Sequence, residues 1–243
     1  MDLVEVLPQR LYMFRFPIGQ AYLWCDGTPG TPDSTDGGPG GGAELTLIDA
    51  GDVHAAGAVE DGIRRLGLDP ALLSRIVLTH GHRDHYGAAQ ELADRFGARI
   101  MAHRLDAPVI RGEREVADPV LLDWELPLWA HALTVPDAPP TRVDRELEDG
   151  DELPFGGGAR VVHCPGHTPG SIGVHLPRHG VLFTGDSVAE AGQVMLGVFN
   201  TDRTEAEASL RRLASLAPDI ACFGHGAPLT TDAAAGLRAA AQR

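Results

Sequence analysis

The sequence predicts an α/β fold in which two β-sheets pack face to face with helices on their outer sides, in one domain spanning residues 1–243. Three observations predict it. Each half of the chain runs through strands, then helix, strand and helix. Short apolar runs end repeatedly in Gly-containing turns that carry a His or an Asp. The chain has 243 residues, 43% of them hydrophobic, which is enough to bury a substantial core.

The elements follow in order. Leu3 to Asp26 is apolar and β-rich, with Y-M-F-R-F and A-Y-L-W-C as strand candidates. Residues 27–43 are rich in Gly, Pro, Ser and Thr; that composition buries no core and predicts a mobile hairpin loop between two strands. Leu45 to Ile48 predicts a buried strand ending in D-A-G, and a helix is expected near His54 to Leu66. Arg75 to Thr79 predicts a buried strand, Ala88 to Phe96 a helix and Gly97 to His103 another strand. Residues 104–144 break the pattern with six prolines, Trp124 and Trp129, and read as an insertion able to cover a site. Strands return at Arg160 to Cys164, Ile172 to Leu176 and Val181 to Thr184. A helix near Thr204 to Ala217, a strand at Asp219 to Phe223 and a helix at Thr231 to Gln242 complete the series.

Charge and composition exclude some functions. The formal net charge is −14, all 20 basic residues are Arg, and no basic run occurs, so a nucleic-acid partner is not expected. No run of about 18 apolar residues is present, so no membrane-spanning helix is expected. An early acid in M-D-L-V-E-V-L-P, with no basic stretch, predicts a cytoplasmic protein. Cys25, Cys164 and Cys222 are few and scattered, which predicts buried thiols and no disulfide framework, with Cys164 kept in view because it lies in H-C-P-G-H.

The chemistry concentrates in T-H-G-H-R-D-H-Y-G, residues 79–87. His80, His82, Asp84 and His85 offer imidazole and carboxylate ligands suited to zinc, iron or manganese, on the loop leaving a strand, where open α/β sheets place their sites. Three later fragments repeat the device: H-C-P-G-H-T-P-G-S presents His167, V-L-F-T-G-D-S presents Asp186 and C-F-G-H-G-A-P presents His225. His54, His131, His175 and His179 have no such context and read as surface or core residues; His163 reads as structural, and His103 as a neighbour of the site.

The series H-x-H-x-D-H, P-G-H-T-P-G, F-T-G-D and G-H-G, in this order, resembles the metallo-β-lactamase superfamily, with a glyoxalase II-like motif set, over about Leu45 to Pro228. The resemblance implies a four-layer αββα sandwich of two mixed β-sheets. It also implies two divalent metal ions, zinc first, with iron or manganese as alternatives. His80, His82 and His167 would take one ion and Asp84, His85 and His225 the other, with Asp186 and a hydroxide bridging. Two ions bring +4, so two carboxylates and hydroxide leave a Lewis-acidic centre. Asp49, in L-I-D-A-G, matches the family's first motif and would orient ligands from behind. Thr79, Thr168 and Ser187 border ligands and read equally as hydrogen-bonding support or solvated turn residues.

The resemblance implies a metal-dependent hydrolase in which the hydroxide attacks an ester, thioester, lactone or amide of a small molecule, with Asp84 and Asp186 as catalytic carboxylates. Trp124, Leu128 and Trp129 are candidates for the substrate pocket. Departures narrow the family: the tyrosine that lactonase-like members place soon after the bridging Asp is missing after Asp186, the lysine that many β-lactamases use is missing, and the C-terminal helical glutathione-binding domain of glyoxalase II-like members is not seen in the sequence given. Two alternatives remain: a mononuclear iron persulfide dioxygenase using His80, His167 and Asp186, and a small-phosphoester hydrolase. A non-enzymatic binding module ranks last. The expected assembly is a monomer or a homodimer.

Overall fold

The computed structural model describes residues 1–27 and 43–243. All but the two end residues of the predicted 27–43 loop therefore lie outside the described residues. The first half supplies β1 (Asp2–Leu7), β2 (Leu11–Arg15), β3 (Gln20–Asp26) and β4 (Glu44–Ile48), then α1 (Ala56–Arg65), β5 (Leu73–Val77), the single turn α2 (Arg83–Tyr86), α3 (Ala89–Phe96) and β6 (Arg99–His103). Residues 104–144 carry α4 (Ala107–Ile110) and α5 (Leu126–Ala132). The second half supplies β7 (Arg145–Leu147), β8 (Glu152–Leu153), β9 (Ala159–His163), β10 (Ile172–Leu176), β11 (Val181–Phe183), β12 (Val188–Glu190), β13 (Val194–Leu196), α6 (Arg203–Ser215), β14 (Ile220–Cys222) and α7 (Ala233–Ala240).

β1 to β7 form one sheet in sequence order, antiparallel as far as β4 and parallel from β4 to β7. A second sheet runs β14-β11-β10-β9-β8, with β11 and β14 parallel and its other pairs antiparallel. Both sheets are mixed, as expected. β12 and β13 form a separate two-stranded ribbon.

Strand alternation sorts the apolar side chains into three layers. Ala21, Leu23 and Cys25 of β3 face α1 and α3, where Val59, Ile63 and Leu92 meet them. Tyr22 and Trp24, on the other face, pack between the sheets against residues including Phe155, Val174 and Phe183. Leu182 and Ala221 face outward onto Leu210 and Leu213 of α6 and Leu237 of α7. Helix, sheet, sheet and helix are thus sealed by three apolar interfaces, the predicted four-layer sandwich. Removing a large side chain from the middle interface, as in Phe183→Ala, is worth about 3–5 kcal/mol.

Local signals set the helix ends. Asp202 caps α6 by accepting from Glu205 N at 2.9 Å, and Gly97 ends α3 in the left-handed conformation that its missing side chain favours. Among the described residues, no helix is long and apolar enough to cross a membrane. β5 ends two residues earlier than expected, because Thr79 turns away and its carbonyl accepts Ile172 N of the second sheet at 2.9 Å. The two sheets are hydrogen-bonded together one residue before His80.

Candidate metal centre

β5, β9, β11 and β14 all run toward one end of the sandwich, and the turns that follow them supply the functional side chains. His80 and His82 leave β5, Asp84 and His85 occupy α2, His167 follows β9, Asp186 lies in the helical turn after β11, and His225 follows β14. Three sets of these side chains bring ligand atoms within 4.8 Å of one another: His80, His82 and His167; His80, His85 and Asp186; and Asp84, His85 and His225. The seven residues singled out in the sequence are therefore brought together.

The detailed spacing places Asp186 at the middle. Its Oδ2 lies 3.2 Å from His225 Nε2, 3.7 Å from His167 Nε2 and 4.0 Å from His80 Nε2, while its Oδ1 lies 3.4 Å from His85 Nε2. Asp84 Oδ2 sits 3.3 Å from His225 Nε2 and 3.5 Å from His85 Nε2. His167 Nε2 and His82 Nδ1 approach to 3.0 Å. Glycine permits this crowding: a Cβ on Gly224 would lie 1.9 Å from Asp186 Oδ1, and one on Gly197 would lie 1.7 Å from Asp186 O.

The donor set fits a metal. His80 Nε2, His85 Nε2 and Asp186 Oδ1 are buried without a hydrogen-bond partner. Each buried polar atom left unmatched costs about 1–3 kcal/mol, so three at one point call for a shared cation. The electrostatics agree. Burial, followed by neighbouring imidazoles, pushes His80 well below its usual range and, with His82 the largest neighbour, holds His167 at about 4; His82 is lowered by burial as well. These rings stay neutral and keep a lone pair to donate. Burial also works against charge on His225, yet Asp186 and Asp84 overcome it and raise this histidine to about 10. His85 is raised for the same reason, against its burial, by Asp186, Asp84 and Asp49. Asp84 and Asp186, despite burial, are held well below the usual carboxylate range by His85 and His225. The centre thus attracts positive charge.

Behind the donors stands a frame of hydrogen bonds. Asp49 accepts from Thr79 N at 2.7 Å and Thr79 Oγ1 at 2.8 Å, and its Oδ2 lies 2.9 Å from His85 Nδ1. Thr79 Oγ1 in turn lies 3.0 Å from His80 Nδ1. His167 Nδ1 pairs with Val198 O at 2.9 Å. Gln20 Nε2 donates to Phe223 O and Gly226 O, both at 2.7 Å, and Tyr22 OH donates to Phe223 O at 2.8 Å, so β3 holds the turn of His225. Glu190 N on β12 donates to His225 O at 3.1 Å. Ser187, by contrast, hydrogen-bonds Cys164 O and Sγ, at 3.3 and 3.2 Å.

Sequence reasoning passed over Asp106. This buried carboxylate accepts from Gly81 N at 2.8 Å, Thr168 Oγ1 at 2.6 Å and Gly170 N at 2.7 Å. Burial raises its pKa against those three donors. Nothing in R-L-D-A-P distinguishes it from an aspartate before a helical turn. Of the pocket candidates, Trp129 packs edge-to-face on Phe199 at 5.1 Å, next to the Val198 carbonyl that holds His167. Trp124 and Leu128 are exposed at 50% and 47%. His103 stacks on His163 at 4.2 Å and joins none of the three donor sets.

A four-layer sandwich with His and Asp donors gathered at the carboxyl ends of its strands defines a metal-dependent α/β protein. Residues 40–225 match the profile of the metallo-beta-lactamase superfamily, and the chain belongs to that superfamily. It is 28% identical over 208 residues to the probable metallo-hydrolase YflN of Bacillus subtilis, covering 76% of each chain. It is 34% identical over 187 residues to a hydroxyacylglutathione hydrolase of Cereibacter sphaeroides, covering 76% of this chain and 58% of that one. It is 32% identical to the hydroxyacylglutathione hydrolase GloC of Haemophilus influenzae, covering 73% and 80%. Among solved structures, a metallo-beta-lactamase family protein of Thermus thermophilus superposes with a TM-score of 0.66 at 28% identity, over 98% of this chain and 78% of the other.

Proposed function

We propose that this chain, a metal-dependent hydrolase by its family and its relatives, cleaves a thioester or ester bond of a small molecule at a two-ion centre. The observation that carries the proposal is the convergence of seven donor side chains, among them three buried atoms, His80 Nε2, His85 Nε2 and Asp186 Oδ1, whose hydrogen bonding the protein leaves unmet. His80, His82 and His167 would hold one divalent ion, Asp84, His85 and His225 the second, and Asp186 both; zinc suits this nitrogen and oxygen set. Once bound, such ions would supply Lewis acidity, able to lower the pKa of a coordinated water toward about 7 and to polarise the scissile carbonyl.

The remaining work falls to the chain. Asp84, which stays ionised, would accept a hydrogen bond from the attacking water and relay its proton directly to the leaving thiolate or alkoxide without resting protonated. Neutral His80, His82 and His167 keep the site able to accept cations. Phe199 and Trp129 offer an aromatic wall beside His167 for the substrate's apolar body, and residues 104–144 shape that side. A thioester ranks first because relatives named hydroxyacylglutathione hydrolase match most of this chain. The net charge of −14 disfavours polynucleotides. Three buried, unpaired cysteines suit a reducing cytoplasm.

A second reading, the iron persulfide dioxygenase, draws support from Asp186 Oδ2 lying within 4.0 Å of both His80 and His167. The test is turnover of a small panel of thioesters, esters, lactones, β-lactams, phosphoesters and persulfides by purified protein. Zinc-dependent thioester or ester hydrolysis, abolished in His82→Ala and Asp186→Ala, is expected. Unchanged turnover in those variants or in metal-stripped protein overturns the proposal.

A further inference from the structure

We propose that Asp106 is a positioning residue that sets the spacing of the donors to one ion and leaves the other ion's donors untouched, an inference that rests on the two-ion reading above. The two halves of the three-histidine set come from different sheets: His80 and His82 from the loop after β5, and His167 from the loop after β9. Asp106 joins those loops. Its Oδ2 accepts from Gly81 N, the residue between His80 and His82, and from Thr168 Oγ1, the residue after His167. Its Oδ1 accepts from Gly170 N in the same loop as Thr168.

The carboxylate is rigidly mounted and closely approached. Asp106 N donates to His103 O at 3.0 Å, and Asp106 O receives Val109 N at 2.9 Å and Ile110 N at 3.0 Å, which fixes it at the start of α4. Gly170 has no room for a side chain there, since a Cβ would lie 2.5 Å from both Asp106 N and Oδ1. Both oxygens face only donors, so an amide cannot substitute without conflict. Whichever way the side chain of an Asp106→Asn variant turned, its NH2 would confront a backbone N–H or force Thr168 Oγ1 back onto Ser171 Oγ, 2.8 Å away.

The other donor set has separate supports. His85 is held by Asp49, and His225 by Gln20, Tyr22 and Glu190 acting on its turn. None of these touches Asp106. Asp49 reaches His80 through Thr79, so His82 and His167, which approach to 3.0 Å, are the pair whose spacing depends on Asp106.

The experiment titrates metal-free protein with Zn2+ by calorimetry and with Co2+ by visible absorption. Two binding steps are expected in the native chain, with the step lost in His167→Ala assigned to the three-histidine set and the step lost in His225→Ala to the other. Asp106→Asn should weaken the His167 step by about 10–100-fold, the range for groups that orient ligands, and change its Co2+ bands, while the His225 step stays within about twofold. Thr168→Val, which removes one of three donors and keeps the carboxylate, should weaken the same step by less; it decides the matter if Asp106→Asn does not fold. Equal weakening of both steps, or of neither, overturns the inference. A single step in the native chain overturns the two-ion reading itself, a result distinguishable from the variants' behaviour.

Discussion

Replacing Asp49 probes how strongly the fold has committed to this centre. The residue is buried and holds a left-handed backbone, φ 59°, so two contributions can be separated. Asp49→Ala removes the acceptor from Thr79 N, Thr79 Oγ1 and His85 Nδ1 and keeps the strained backbone. Three buried donors left unmatched, at about 1–3 kcal/mol each, give a loss of about 3 kcal/mol or more in metal-free protein. Asp49→Gly removes the same acceptor and relieves the φ strain, so it should recover about 1 kcal/mol of that loss. Asp49→Asn keeps an oxygen for Thr79 N but turns its NH2 on Thr79 Oγ1 and His85 Nδ1, which must then accept, so its loss should fall between those of the native chain and Asp49→Ala. Both Asp49→Ala and Asp49→Gly release the His85 ring, and zinc affinity should fall about 10–100-fold. Urea unfolding of metal-free protein and zinc calorimetry read the two effects. An Asp49→Ala variant within about 0.5 kcal/mol of the native chain, with unchanged zinc affinity, would refute the reasoning.

Gly224→Ala should keep the far-ultraviolet circular dichroism of the native chain and lose zinc binding and turnover, because its Cβ would fall 1.9 Å from Asp186 Oδ1 and 2.9 Å from His85 Cε1. His103 is pushed down to about 4 by burial and then by the charges of His163 and Arg104, so the unfolded chain takes up its proton first as pH falls. Its neutral form therefore contributes no pH dependence above about 6.5, and stability declines between there and about 4; thermal unfolding across that window should fall less steeply in His103→Phe than in the native chain. Trp129→Ala strips the edge-to-face partner from Phe199, a contact worth about 0.5–1.5 kcal/mol, and should raise KM for apolar thioesters by about 2–10-fold with little change in kcat.

The loops that carry chemistry were legible because each follows a run of buried apolar residues and holds side chains that rarely gather without a cation. The same applies to the outer helices, whose Val59 and Ile63 or Leu210 and Leu213 recur at helical spacing. The ribbon of β12 and β13 was not legible: V-A-E and V-M-L are too short to show a period, and the brace that Glu190 of β12 gives the turn of His225 runs through a backbone N–H that any residue would offer. β7 and β8 were missed for the same reason of length. Asp106 escaped because its role depends on backbone N–H groups of Gly81 and Gly170, which any residue type would display. Val198, which holds His167 through its carbonyl, is silent for the same reason. Thr79 and Thr168, which sequence left undecided, both turn out to hydrogen-bond behind the donors, whereas Ser187 serves Cys164.

Counting metal ions against turnover tests the central claim most directly. Protein stripped with chelator and reloaded stepwise with zinc, assayed by elemental analysis and thioester or ester hydrolysis at each step, should reach full activity at two ions per chain and none in the stripped form. Full turnover without metal, or activity that saturates with a single iron and acts on persulfides alone, would contradict it.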